Sequence, residues 1–543
     1  MGAREVAPFN ATHFKPPYQA YPMHDLLLRG GRVVDGTGGP WFHGDVAVEG
    51  GIIIGVGRVS EEAETVIDVE GLVVAPGFID THSHSDLLLI SEPTAEAKIL
   101  QGVTTEVVGQ DGLGEAPIAA RHVDQWRRYL SGLNGDPDVD WNWRSFGEYL
   151  DTLAQAHPSV NVAALVGHGN LRMAVMGMDN RSPSGSELED MRMILARSLK
   201  EGAVGLSTGL IYAPCIYSDA RELTELCRTA SAHGGVFVVH MRDEGDRLIE
   251  SMDEVSQIGR EARVPVHISH FKASGEANWG RSADAIKRLH EARREGVQVS
   301  FDHYPYTAGS TFLSSLLPPW VHAGGVDALL ERLKDPEVRS RIREESSETR
   351  SRSPRWDRLH CANFKTEANT RFEGITMKGI AEARGQRPMD ALMDIVLEES
   401  NATTMISFTM SEDDVIRFIA DPHGTVCTDG ILLGKPHPRA YGAFPRILGH
   451  YVREGVLGLE EAVRKMTSLP AQIMGLKGRG AVKPGYRADI TVFNPDTVED
   501  TATYENPRRH PTGISHVIVN GKLTAQDGVH LGVRAGQVHR HGL

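Results

Sequence analysis

Apolar positions along the chain follow two rhythms. Near the start, runs of three to five apolar residues are divided by glycine: LLLRGGRVVDG, then DVAVEGGIIIGVG, then TVIDVEGLVVAPG. The style returns near the end in ADITVFNP and HVIVNGKLTAQDG. Short apolar runs punctuated by Gly predict β-hairpins. Chain ends often lie close together, so these blocks predict one small β-sandwich from residues 24–75 and 476–543. Residues 1–23, rich in Pro and aromatics, predict an irregular arm.

Between the blocks the pattern lengthens. NVAALVGH, GAVGLSTG, GVFVVHMR, VPVHISHFK, VQVSFDHYPY and GTVCTDG are apolar runs, each ending in polar or Gly-rich residues. Amphipathic stretches such as ELEDMRMILARSLKEG and SADAIKRLHEARREG separate several of them. Alternating strands and helices imply a parallel sheet. More than six such units in one stretch fit a (β/α)8 TIM-like barrel over 76–475 better than a doubly wound sheet. No GxGxxG follows a strand, so nothing argues for dinucleotide binding. One polar, charged excursion, about 318–371, breaks the rhythm. It predicts either a solvated helical insertion or, because it follows a barrel strand, a lid over the site.

Charge narrows the classes. Lys and Arg number 57 against 72 Asp and Glu, a net charge of −15, with 40% of residues hydrophobic and 24% charged. That is a folded-protein balance with no electrostatic footprint for nucleic acid or anionic lipid. No apolar run reaches the roughly 20 residues of a membrane span. Four scattered cysteines do not make a disulfide framework. Residues 1–24 lack the apolar centre of a secretory signal. The expectation is a soluble, cytoplasmic protein, with homo-oligomer formation left open.

The chemistry concentrates at strand ends. In APGFIDTHSHSD, residues i and i+2 of a strand face one way, so His82 and His84 would project together, as two imidazoles on one metal require. His240 ends GGVFVVH, His270 ends VPVHISH, and Asp429 follows the buried run GTVCT. A buried carboxylate needs a cation or a proton-transfer partner. Four histidines and an aspartate at the strand ends of one barrel point to a single metal cage.

This set resembles the signature of the amidohydrolase superfamily, in its N-acyl-D-amino-acid deacylase (D-aminoacylase) branch. The likeness runs from about Asp25 to the C-terminus. It includes QGVTTEVVG, GLSTGLIYAP, HMRDEGD, ISHFK, DHYPYTAGST, KPHPRAYGAFPRILGHY and KPGYRADITVF, in order. The resemblance implies a barrel with a β-sandwich from both chain ends, and Zn²⁺, as one ion or two, held by His82, His84, His240, His270 and Asp429. The family's further ligand is a Cys in a GNCG turn. Here the turn reads GQDG, and Asp111 takes that position. A carboxylate can bind or bridge zinc but is a harder donor than a thiolate. The resemblance also places Lys272, Tyr304 and Arg439 on the substrate carboxylate, with Ser310 as a further donor.

The implied activity is hydrolysis of the amide of N-acyl-D-amino acids, with Asp429 as general base that then protonates the leaving nitrogen. Two alternatives keep the barrel. One is hydrolysis of a cyclic amide such as a hydantoin, or of a D-residue dipeptide, in the same site; the other is a scaffold without catalysis.

Overall fold

A computed structural model describes residue 2 and residues 24–60, 62–348 and 354–542. The arm expected over 1–23 lies outside these, apart from Gly2. Strands from both chain ends share one nine-stranded sheet. The two ends join where Val73–Pro76 runs antiparallel to Ile490–Phe493, with Val74 opposite Val492. Leu28, Val33, Val46, Val74, Ile490 and Ile518 form a core of its own inside this unit.

The chain then enters the barrel. Its parallel strands are Phe78–Asp80, Val103–Val108, a third in two segments (Asn161–Ala164 and Val166–Gly167), Gly205–Gly209, Val236–His240, Val266–Ile268, Val299–His303 and Gly424–Val426. Neighbours pair in that order. A parallel bridge between Ser83 and Gly430, beside the hydrogen bond from Asp429 N–H to His82 C=O (2.8 Å), brings the last strand against the first and closes the eight-stranded ring. VFVVH of the fifth strand is buried at every position, as a strand covered on both sides by barrel packing must be.

The helices that wrap the ring begin on sequence signals. Ser145 with Glu148, and Ser184 with Glu187, form capping boxes at the starts of Phe146–Gln155 and Gly185–Lys200. At the opposite end, the C-terminal tail runs beside the third strand, with His539 N–H bonded to Val162 C=O (2.7 Å). No helix among the described residues is long and apolar enough to cross a membrane.

The excursion expected over 318–371 lies within a larger unit. Strands Ala308–Phe312, Leu359–Cys361 and Thr404–Phe408 make a separate antiparallel sheet, in the order first, third, second. Helices including Val326–Lys334 and Pro388–Glu398 pack with it around Leu313, Leu329, Met377 and Leu392. This unit leaves the barrel after the seventh strand and returns before the eighth.

Candidate metal centre and substrate cavity

The barrel's C-terminal rim gathers residues far apart in sequence, and Asp111 is their common neighbour. Its Oδ2 lies 3.6 Å from His82 Nε2, 3.7 Å from His84 Nε2, 3.8 Å from His240 Nδ1 and 3.7 Å from His270 Nε2. Asp429 Oδ1 lies 3.6 Å from His82 Nε2 and 3.3 Å from His84 Nε2. All six side chains are buried. Donors about 2 Å from one ion at a tetrahedral angle stand roughly 3.3 Å apart, so these separations are those of ligands around a cation. All but the 3.3 Å approach of His84 to Asp429 are too long for direct hydrogen bonds.

The donor atoms also lack other occupations. Both ring nitrogens of His82 and of His240, and Oδ1 of Asp111, are buried without a hydrogen-bond partner. Five such atoms in one cluster would be costly unless a cation satisfies them, so the residues fit a divalent ion. Three groups of side chains have the required proximity: His82, His84 and Asp429; His82, Asp111 and His270; and His240, Glu244 and His270.

Backbone strain marks the same place. Asp111 (φ 57°), His270 (φ 34°) and Asp429 (φ 45°) are all left-handed, a conformation non-glycine residues adopt rarely and chiefly at functional sites. His270 therefore does not end its strand, which stops at Ile268, and Asp429 lies beyond Val426. His82 and His84 likewise sit past Asp80 rather than in the strand. Strand alternation is thus not what brings their rings together; the turn after the strand is.

Electrostatics follow from the crowding. Burial alone would raise the Asp429 carboxyl, but the Arg439 guanidinium, then the His82 and His270 imidazoles, hold it well below the carboxylate range. Burial opposes protonation of His82, yet Asp111 and Asp429 outweigh it and push that imidazole up. Carboxylates converging on imidazoles in this way are a charge arrangement that suits a dication.

A cavity of about 200 Å³ opens from this cage. Lys272, Tyr304 and Ser310 line it beside His84, Asp111, His240, His270 and Asp429. Arg439 stands behind the wall, fully buried. Its Nη1 is 2.9 Å from Asp429 Oδ2, Nη2 donates to the Ser310 carbonyl (3.1 Å), and its guanidinium carbon sits 4.3 Å from the Tyr304 ring centroid.

Two further carboxylates belong to the site. Glu244, which is not among the site residues expected from the sequence, lines the cavity, accepting from Lys272 Nζ (2.7 Å) and facing His270 Nδ1 (3.1 Å) and His240 Nε2 (3.7 Å). Asp302 accepts from the His270 backbone N–H (2.5 Å), contacts His267 Nε2 (3.0 Å) and faces His82 Nδ1 (3.8 Å). The available signals were their places in HMRDE, just after the strand Val236–His240, and in FDHYPY, where Asp302 precedes His303 at the end of its strand. Asp80 touches the backbone N–H of His82 and of Thr428 rather than a ring. His168 is tied to Thr208 and Glu222, and His437 to the Ala308 carbonyl, so neither ring enters the cage.

An eight-stranded parallel barrel with imidazoles and carboxylates converging at its C-terminal rim defines the class of the metal-dependent hydrolase barrels. Comparison with known proteins agrees. Residues 65–343 and 426–525 match the amidohydrolase family. D-aminoacylase of Alcaligenes xylosoxydans xylosoxydans is 38% identical over 517 residues, 95% of this chain and 97% of that protein. N-acyl-D-glutamate deacylase of the same organism is 36% identical, covering 92% and 93%. A crystal structure of N-acyl-D-glutamate deacylase from Bordetella bronchiseptica, with zinc and a phosphonate mimic of the tetrahedral intermediate, superposes with a TM-score of 0.82 at 34% identity, over 95% of this chain and all of that one. A structure of D-aminoacylase described with a binuclear metal centre superposes at 0.81 with 37% identity, over the same shares. The chain belongs to the amidohydrolase family, in its D-aminoacylase branch.

Proposed function

We propose that this chain hydrolyses the amide bond of N-acyl-D-amino acids, releasing a carboxylate and the free D-amino acid. The observation that carries the reading is the buried cage of His82, His84, Asp111, His240, His270 and Asp429 opening onto a cavity that also holds Lys272. Similarity to D-aminoacylase and to N-acyl-D-glutamate deacylase over more than nine-tenths of the chain supports it.

Zinc, as one ion or two, would be held by those six residues; when bound, it would supply a Lewis acid for the carbonyl and make a water acidic enough to attack near neutral pH. Asp429 takes the proton from the attacking water. As the C–N bond breaks, the same carboxylate hands that proton to the departing nitrogen, so one group serves as base and then acid. Arg439 keeps Asp429 ionised and fixed between proton transfers. Lys272, the Tyr304 hydroxyl and Ser310 receive the substrate carboxylate from the cavity side, and Arg439 reinforces them from behind. A fixed anchor for the carboxylate and another for the carbonyl leave the remaining substituents distinguishable, which is how one enantiomer is preferred. The four cysteines are unpaired, in keeping with a cytoplasmic location.

The deciding experiment is release of free amino acid from paired N-acetyl-D- and N-acetyl-L-amino acids, with zinc added and with chelator. Turnover of D-derivatives that chelator abolishes is expected. Exclusive turnover of L-derivatives, or turnover indifferent to chelator, would overturn the proposal.

A further inference from the structure

The cavity wall opposite the metal cage comes largely from the unit inserted between the seventh and eighth barrel strands. Met405, Ser407 and Thr409 all line the cavity. They alternate along the strand Thr404–Phe408 and its continuation, so they share one face. Ile406 and Phe408 turn the other way, packing with Ala308, Ala362 and Tyr504. Thr311 stands opposite Met405, and Gly309 opposite Ser407, in the antiparallel partner strand, which puts Ser310 between them. Leu113, Leu133, Ile211, Tyr212, Leu316 and Ile431 line much of the rest of the cavity, with Ser274.

A substrate's carboxylate and side chain leave the same carbon, whereas the acyl group lies across the amide at the cage. The surface bordering Ser310 and Lys272 is therefore where the side chain must go. That surface is apolar, relieved by small hydroxyls, one of which is occupied: Thr311 Oγ1 bonds the Tyr212 hydroxyl (2.7 Å). Among the described lining residues the one Lys or Arg is Lys272, already bonded to Glu244 and His270. A second substrate carboxylate would find no cation left for it and would face Glu244.

We infer that the chain selects N-acyl-D-amino acids with apolar side chains and excludes acidic ones, with the strand Thr404–Phe408 as the selecting wall. The inference rests on the deacylase reading above. A buried ionised group without a partner is strongly rejected, while methyl and methylene groups gain from leaving water.

The test compares kcat/KM for N-acetyl-D-leucine, -methionine and -phenylalanine with that for N-acetyl-D-glutamate and -aspartate. Apolar derivatives are expected to lead by roughly a hundredfold or more. Ser407→Arg, at a half-exposed position facing the cavity, should shift the leucine-to-glutamate ratio at least about tenfold toward glutamate. Thr409→Arg provides an independent variant if Ser407→Arg folds poorly. Acidic substrates matching or exceeding apolar ones in the wild type would overturn the selectivity while leaving the deacylase reading standing. Hydrolysis of no N-acetyl-D-amino acid would bring down both.

Discussion

Arg439 Nη1 lies 2.9 Å from Asp429 Oδ2, with both side chains buried at the barrel rim. One oxygen of Asp429 thus faces the imidazole cage while the other is held by a guanidinium. Arg439→Ala should leave Asp429 buried without its counter-ion. We expect kcat to fall on N-acetyl-D-leucine and on its uncharged amide alike, with KM rising further only for the carboxylate-bearing substrate. Unchanged kcat on both would mean that the pair has no part in turnover.

Asp429→Asn removes the proton acceptor while keeping an oxygen toward His82 and His84. Turnover should drop by about 10²- to 10⁴-fold, with metal content by elemental analysis near that of the wild type. Normal hydrolysis by this variant would assign the proton transfer elsewhere.

Asp111 Oδ2 is the neighbour shared by four imidazoles. Asp111→Ala should lower the number of ions retained after dialysis. Asp111→Cys should restore retention and shift preference toward zinc, the thiolate being softer. Loaded with Co²⁺, that variant should show near-ultraviolet thiolate-to-metal absorption that the wild type lacks. Equal retention in the alanine variant would remove Asp111 from the ligand set.

Glu244 orients His270 and engages Lys272 through one oxygen. Glu244→Gln should weaken metal retention about 10- to 100-fold, measured by competition with a chelator, and Glu244→Asp should recover part of it. A glutamine variant holding metal as tightly as the wild type would leave Glu244 a bystander.

Two histidines remote from the cage predict the acid limit of stability. Burial, then nearby Arg479, depresses His539 to about 4. Burial also depresses His322 to about 4, against the opposing bond to the Ser314 carbonyl. The unfolded chain takes up these protons near the ordinary value of 6.5, so the stability the neutral rings contribute is present above 6.5 and lost as pH falls toward 4. The combined loss is on the order of a few kcal/mol. Replacing both by Gln should flatten the fall in Tm between pH 7 and 5; an unaltered slope would point to other groups.

Much of this was legible in the sequence where a residue type and its local pattern carry the chemistry. The HxH of His82 and His84 is one case. The QDG and TDG turns are another: an Asp before a Gly tolerates the left-handed backbone both Asp111 and Asp429 adopt. The runs NVAALVGH through GTVCTDG were readable as strands because parallel barrel strands are apolar on both faces. What could not be read depends on long-range docking. Arg439 looked like a carboxylate anchor, and only the placement of its helix, Arg439–Arg446, turns its guanidinium onto Asp429. The selecting wall was hidden too, since Met405 and Ser407 meet Thr311 and Gly309 through an antiparallel pairing nearly a hundred residues away. The charged stretch 318–371 drew attention to the helices of the inserted unit and away from the strands that shape the cavity.

The seam at which Asp429 N–H meets His82 C=O joins the first barrel strand to the last. A nascent chain that has emerged only as far as the seventh strand owns every imidazole of the cage but neither Asp429 nor the bond that shuts the ring. The carboxylate base and the closure of the ring therefore come from one short stretch of chain, and hydrolytic competence waits for the eighth strand.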